Sequence, residues 1–183
     1  YSKGYGVPQD VPKARELLRR ADLLGDAFAK WNAEMLEIDE LQRGGDCSRA
    51  FSRQQELTAR TKTEELEKLG KLDDQTDFNT DREVRLAILC KEFDKAQQLA
   101  KEAAGQLGAE HVPHIQLAHA LMFLDKPDEA KAIYLAHRGE QVPGKDHVDW
   151  ERAVADDFEL FRSNGLQHPM MAEVEKTLGI ANQ

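Results

Sequence analysis

Apolar residues recur along this chain at intervals of three and four, the spacing of one helix face, and no strand is evident. Asp10-Val11-Pro12 supplies an N-cap and a first-turn proline, and Ala14, Leu17, Leu18, Ala21 and Leu24 follow at helical spacing as far as Gly25. A second helix is expected from about Asp26, with Ala27, Trp31, Met35 and Ile38 on one stripe and Gly44-Gly45 as its stop. These two helices predict a hairpin. Residues 48–69 are highly charged, with sparse apolar positions at Phe51, Leu57, Ala59, Leu66 and Leu69, the pattern of a mostly solvated helix or a linker helix. Gly70 to Thr80 has loop composition and places an internal boundary near residue 75.

Beyond it, Asp81 to Glu92 and Asp94 to Leu107 predict a second hairpin, and His114 to Leu124 and Asp128 to His137 a third. Their short connections make consecutive helices antiparallel neighbours. After a loop containing Pro143-Gly144, Trp150, Val154, Phe158 and Phe161 mark a longer helix that Asn164-Gly165 terminates. Pro169 opens a last short helix with Met170, Val174 and Leu178. The expected division is 1–45, a helical hairpin; 46–75, a charged connecting helix and loop; and 76–183, hairpins closed by a capping helix pair.

Composition narrows the function classes. The 183 residues are 40% hydrophobic and 32% charged, enough apolar material for one sizeable core or two small ones. The longest unbroken apolar runs, Leu86 to Cys90 and Ala120 to Leu124, fall far short of the roughly 20 residues of a membrane-spanning helix. A net charge of −9 opposes nucleic acid, so neither nucleic acid nor membrane is an expected partner. Cys47 and Cys90 are the two cysteines, too few for a disulfide framework, and they fit a reducing, cytoplasmic setting. The chain opens on Tyr1 rather than methionine and is expected to be a piece of a longer protein, in which an upstream targeting signal would not be visible.

Self-similarity appears at an offset of 34 residues, which relates Phe93 to Pro127, Asp94 to Asp128, Ala96 to Ala130 and Ala100 to Tyr134. A small residue suits the point where the second helix of a hairpin crosses the first, and a larger one a turn later fills the space between hairpins. Residues 80–143 thus resemble two tetratricopeptide repeats, the first looser, with Val84 and Ala100 where a small residue and an aromatic are usual. Gly4-Tyr5-Gly6-Val7, Asp10, Lys13-Ala14, Ala21 and Gly25, followed by Ala27 and Ala29, resemble a Sel1-like repeat whose first helix is missing. The resemblance implies an all-α fold: antiparallel hairpins stacked as an α-solenoid, recognising a protein or peptide through its concave face. Another domain of the same chain is a second candidate for that partner.

In such a stack the first helix of each hairpin faces inward, and the expected partner-contact residues are Asp81, Arg85, Ile88, Ile115, His119 and Met122. Arg85, His119 and Met122 are the better candidates for a ligand face; Leu89 and Phe123 fit packing between hairpins. These inward positions lack the lysine and asparagine with which the family clamps a terminal carboxylate, so recognition of heat-shock-protein tails is not expected.

Candidate chemistry is thin. His111, His114 and His119 are close in sequence, but His114 and His119 lie about 140° apart around a helix, and no metal site is expected. Cys90 reads as a small hydrophobe in an apolar helix, and the adjacent pairs Asp73-Asp74 and Asp156-Asp157 diverge by about 100° and read as solvated charge. No catalytic residue, cofactor or metal follows. Residues 146–160 carry six acidic and one basic side chain, against two acidic and four basic over 11–24. The expectation is a non-catalytic interaction module, a regulatory or scaffolding segment. Its alternative is a helical appendage of a multidomain enzyme, such as a caspase-like protease, that controls activity or recruits substrate.

Overall fold

The structure, a computed structural model, describes residues 10–26, 28–70, 74–107, 114–142 and 148–180. These form nine α-helices: α1 Val11–Leu23, α2 Ala29–Arg43, α3 Cys47–Leu69, α4 Asp74–Leu89, α5 Phe93–Leu107, α6 His114–Phe123, α7 Pro127–Ala136, α8 Trp150–Ser163 and α9 Pro169–Leu178. The all-α expectation holds. Among the described residues no helix is long and apolar enough to cross a membrane. The glycine turn Gly4-Tyr5-Gly6-Val7, Ala27, His111 and Pro143-Gly144 lie outside the described residues.

Two compact units divide the chain, Tyr1–Leu57 and Thr58–Gln183, so the division falls within α3 rather than near residue 75. The reason is a set of polar ties from the second half of α3 to α4. Asn79 Nδ2 donates to Thr61 Oγ1 at 2.9 Å, and Thr76 donates its backbone N–H and its hydroxyl to the Glu65 carboxylate at 3.2 and 2.5 Å. Asp74 to Thr80, read as loop from composition, is therefore the opening of α4. The charged segment is likewise a continuous helix with one buried face, on which Ala50, Phe51, Gln54, Leu57, Thr61 and Glu65 recur at spacings of one, three and four.

In the first unit Asp10 caps α1, its Oδ1 accepting the Lys13 N–H at 2.9 Å. α1 packs on α2, where Ala29, Leu36 and Ile38 are buried, and the Arg15–Glu40 ion pair spans the two helices. Of the apolar stripe expected on α1 only Ala14 is buried; Leu23 and Leu24 are 73% and 88% exposed at its end, beside Phe28 at 62%.

The second unit shows why 34 residues recur. α4 is linked to α5, and α6 to α7, by three residues each, and each link has its middle residue in the left-handed region: Lys91 at φ 62° and Asp125 at φ 55°. Lys91 N–H bonds to Ile88 O and Glu92 N–H to Ala87 O, both at 2.8 Å; Asp125 N–H bonds to Met122 O at 3.1 Å and Lys126 N–H to Leu121 O at 3.0 Å. This is the Schellman ending, which satisfies the last helical carbonyls and sharply redirects the chain. Ala96 and Ala130 then begin the next helices by donating to Glu92 O and Lys126 O, and both are fully buried. Between them Phe93 stacks on Phe123 at 4.9 Å between ring centroids.

α8 buries Trp150, Val154, Phe158 and Phe161, the residues its spacing predicted, and α9 buries Met170, Val174 and Leu178. At about 1.5–3 kcal/mol for each large apolar side chain removed from water, α8 is held chiefly by this face. Arg162 binds Glu175 through both guanidinium nitrogens at 2.7 and 2.8 Å, fixing α8 to α9. Neither Cys47 nor Cys90 is a free thiol: each is disulfide-bonded, against the reading of Cys90 as a packed hydrophobe.

Candidate functional site

The positions expected to face a partner converge, in the second unit, on a residue that sequence reasoning assigned to solvent. Asp157 of α8 is buried, whereas its neighbour Asp156 is exposed and paired with Arg152 at 2.9 Å. A helix turns by about 100° per residue, so the Phe158 and Phe161 face that packs into the core carries Asp157 with it and leaves Asp156 outside.

Around Asp157 stand groups from two other helices. Gln116 Nε2 of α6 donates to Asp157 Oδ2 at 2.7 Å, and His119 Nε2 lies 3.4 Å from the same oxygen. Arg85 of α4 brings its Nε to 3.6 Å from Oδ1 and pairs by Nη2 with Asp81 one turn earlier. On the other side of the imidazole, His119 Nδ1 is 2.6 Å from the Tyr134 hydroxyl of α7, which is also 4.0 Å from Met122 Sδ. A carboxylate only accepts, so the imidazole carries its proton on Nε2 and Nδ1 accepts the Tyr134 O–H. Trp150 Nε1 donates to the Tyr134 backbone carbonyl at 3.1 Å, so α8 grips α7 as well.

Burial works to raise the Asp157 pKa; the Arg85 charge, then His119 and Gln116, outweigh it and hold the carboxyl well below the usual carboxylate range. Tyr134 is pushed well above its ordinary value, by burial first and by the Asp157 charge second.

An acid, an imidazole and a hydroxyl in line have the composition of a catalytic triad, but access and activation are both missing. His119 and Tyr134 are 0% and 1% exposed, so no substrate reaches either atom. Tyr134 is harder to ionise than a free phenol, the reverse of an activated nucleophile. The arrangement binds α8 to α4, α6 and α7.

Of the six expected contact residues, then, the structure brings Arg85 and His119 together around Asp157 and sets Asp81 beside Arg85. Ile88, Ile115, His119 and Met122 are buried, so His119 and Met122 do not present a ligand face; Asp81 and Arg85 are half-buried. Leu89 is half-buried, and Phe123, besides Phe93, meets Phe161 edge-on at 5.6 Å. The role of Gln116 and Asp157 was missed because each is polar on an otherwise apolar helix face. That anomaly was the available signal. Among the described residues no three His, Cys, Asp or Glu side chains are grouped to hold a metal ion. A groove between α7 and α9, lined by Tyr134, Leu135, Met170, Val174 and Leu178 with the Lys131–Glu173 ion pair at 2.6 Å, offers an apolar surface rather than chemistry. No protein-family model, curated protein or solved structure matches the chain.

Proposed function

We propose that the chain is a non-catalytic protein-interaction module, a helical-repeat scaffold acting as a regulatory segment. The observation that carries this reading is the recurrence of one link, Lys91 and Asp125 with the same flanking hydrogen bonds, at the 34-residue offset of the sequence pattern. A repeated helix pair cannot bury its apolar face alone and gains stability by stacking, and such stacks present surface to other proteins rather than a catalytic pocket. The buried state of the Asp157, His119 and Tyr134 cluster supports a structural part for the residues most able to do chemistry.

In this reading α8 and α9 form a further hairpin of an antiparallel α-solenoid, and α8 fills the inward face of α4 and α6. A protein or peptide partner contacts what α8 leaves open, with Asp81 and Arg85 at its edge. The oxidised state of Cys47 and Cys90 favours an oxidising compartment over the cytoplasm, since structural disulfides are rare where thiols are kept reduced.

The test is affinity capture from the source cell with the whole chain as bait, beside Asp81→Ala, both verified as helical by circular dichroism. A protein retained in stoichiometric amount by the wild type and lost with the variant supports the module and its edge. Equal retention moves the contact elsewhere on the chain, and no retention by the folded wild type overturns the reading.

A further inference from the structure

Each of the two units leaves an apolar surface uncovered, a projection on the first and a groove on the second. At the turn between α1 and α2, Leu23, Leu24 and Phe28 stand exposed, and Leu17, seven residues before Leu24 and so on nearly the same side of α1, extends the patch. The turn is fixed by hydrogen bonds: Leu24 and Asp26 both donate their N–H to Ala21 O at 3.0 Å, and Asp26 Oδ1 accepts the Phe28 N–H at 2.9 Å. The apolar side chains are thus held outward on a preorganised tip. In the second unit, Tyr134, Leu135, Met170, Val174 and Leu178 line the groove between α7 and α9, and Leu135 is exposed at its rim.

The charges beside the two surfaces are complementary. At the groove one ammonium stands between two carboxylates: Lys131 bonds Glu173 Oε1 at 2.6 Å and also feels the Asp128 charge. On α1 one carboxylate stands between two cations, Glu16 pairing with Lys13 at 2.9 Å and with Arg20 at 3.8 Å. Arg19 and Arg20 are exposed and lie four residues before Leu23 and Leu24, beside them on the helix surface. In all, α1 carries four cations, Lys13, Arg15, Arg19 and Arg20, against the carboxylates of Glu16 and Asp22.

We propose that the Leu23, Leu24 and Phe28 tip of one copy seats in the α7–α9 groove of a second copy, so that the chain associates with itself head to tail. Removal of apolar area from water drives the contact, and the α1 arginines facing Asp128 and Glu173 set its orientation. A lipid surface would take the tip but give the groove no part, and the net charge of −9 opposes an anionic bilayer. A second copy supplies a counterpart for both surfaces. Tip and groove are different patches, so the contact is heterologous. It is also small beside a standard protein interface, so association is weak and rises with concentration. The contact leaves Asp81 and Arg85 unused and stands apart from the partner edge.

The test is sedimentation equilibrium of the whole chain from about 5 to about 500 µM, over which the weight-average mass should rise from that of one chain by at least about 1.5-fold. Leu24→Glu with Phe28→Ser removes the tip, and Leu135→Glu obstructs the groove. All three substitutions fall on exposed side chains, and circular dichroism checks that the helices persist. Each variant alone should keep the mass of one chain. An equimolar mixture of the two should recover a 1:1 complex, because one supplies an intact groove and the other an intact tip. Should Leu135→Glu not fold, Thr177→Lys sets a charge in the same groove and takes its place. A wild type that stays at the mass of one chain overturns the proposal, as does a mixture that stays unassociated. A groove variant that still associates alone also overturns it and places the contact tip to tip. Retention of an unassociated wild type on anionic vesicles would give the tip to lipid instead.

Discussion

Gln116 on α6 and Asp157 on α8, 41 residues apart in sequence, meet at 2.7 Å inside the protein, and the bond fixes where α8 sits against α6. Breaking a buried charged pair by removing one partner leaves the other uncompensated, at a cost of about 3–5 kcal/mol. Asp157→Ala takes the acceptor from the buried Gln116 amide while Arg85 keeps its pair with Asp81, so a loss at the lower end of that range is expected in urea unfolding, whereas Asp157→Asn keeps an acceptor for Gln116 and should lose less. A loss under about 1 kcal/mol for Asp157→Ala would show that the apolar face of α8 suffices without the carboxylate.

The same carboxyl sets the behaviour in acid. Its pKa is lower folded than unfolded, so its contribution is complete above the ordinary carboxylate value of about 4 and disappears as the pH falls below it towards the folded value. Wild-type stability should therefore drop steeply below about pH 4. Asp157→Asn should show a shallower drop, measured as the difference in unfolding free energy between neutral and acid buffer.

Tyr134 gives the mirror image in alkali. Its phenol ionises less readily folded than unfolded, first because it is buried and second because Asp157 is negative, so its contribution is present below about pH 10 and lost above. Tyr134→Phe removes the partner of His119 Nδ1 and is expected to cost about 1–3 kcal/mol at neutral pH. It should also flatten the loss of stability between pH 9 and 11, and an unchanged alkaline slope would place the titrating group elsewhere.

Much of the fold was legible because backbone rules act locally. Asp10 as an N-cap, Gly165 as a stop and the stripe Trp150, Val154, Phe158 and Phe161 each follow from spacing and conformational freedom, and the structure has them as read. Asp74 to Thr80 failed because its polar residues suit a loop in isolation, and only the Thr61 and Glu65 partners on α3 make a helix of them. Asp157 failed for a related reason: a charge on an apolar face is a solvated residue in a local reading, and Arg85, 72 residues earlier, is what makes its burial tolerable. The oxidation of the cysteines depends on tertiary placement, which spacing does not supply.

Lys91 and Asp125 hold the same left-handed turn with unequal ease. A lysine there meets steric strain between its Cβ and the following carbonyl, while aspartate is better tolerated, and glycine relieves both. Lys91→Gly is expected to raise stability by about 0.5–1 kcal/mol and Asp125→Gly by less, since glycine also adds freedom to the unfolded chain. The converse, Gly165→Ala at φ 73°, should cost about 1 kcal/mol. Thermal melts of the three variants rank the effects, and a destabilising Lys91→Gly would mean that its side chain makes a contact worth more than the strain.

The disulfide state predicts a chemical property of the purified protein. With both cysteines oxidised, the unfolded but unreduced chain should react with no thiol reagent, and after reduction two groups per chain should react. A native cross-link limits the unfolded ensemble, so reduction should lower stability by about 2–4 kcal/mol and bring the midpoint of thermal unfolding down with it. Full thiol reactivity before reduction, in protein prepared without reductant, would return the cysteines to the free state expected from their number and restore the argument for a reducing compartment.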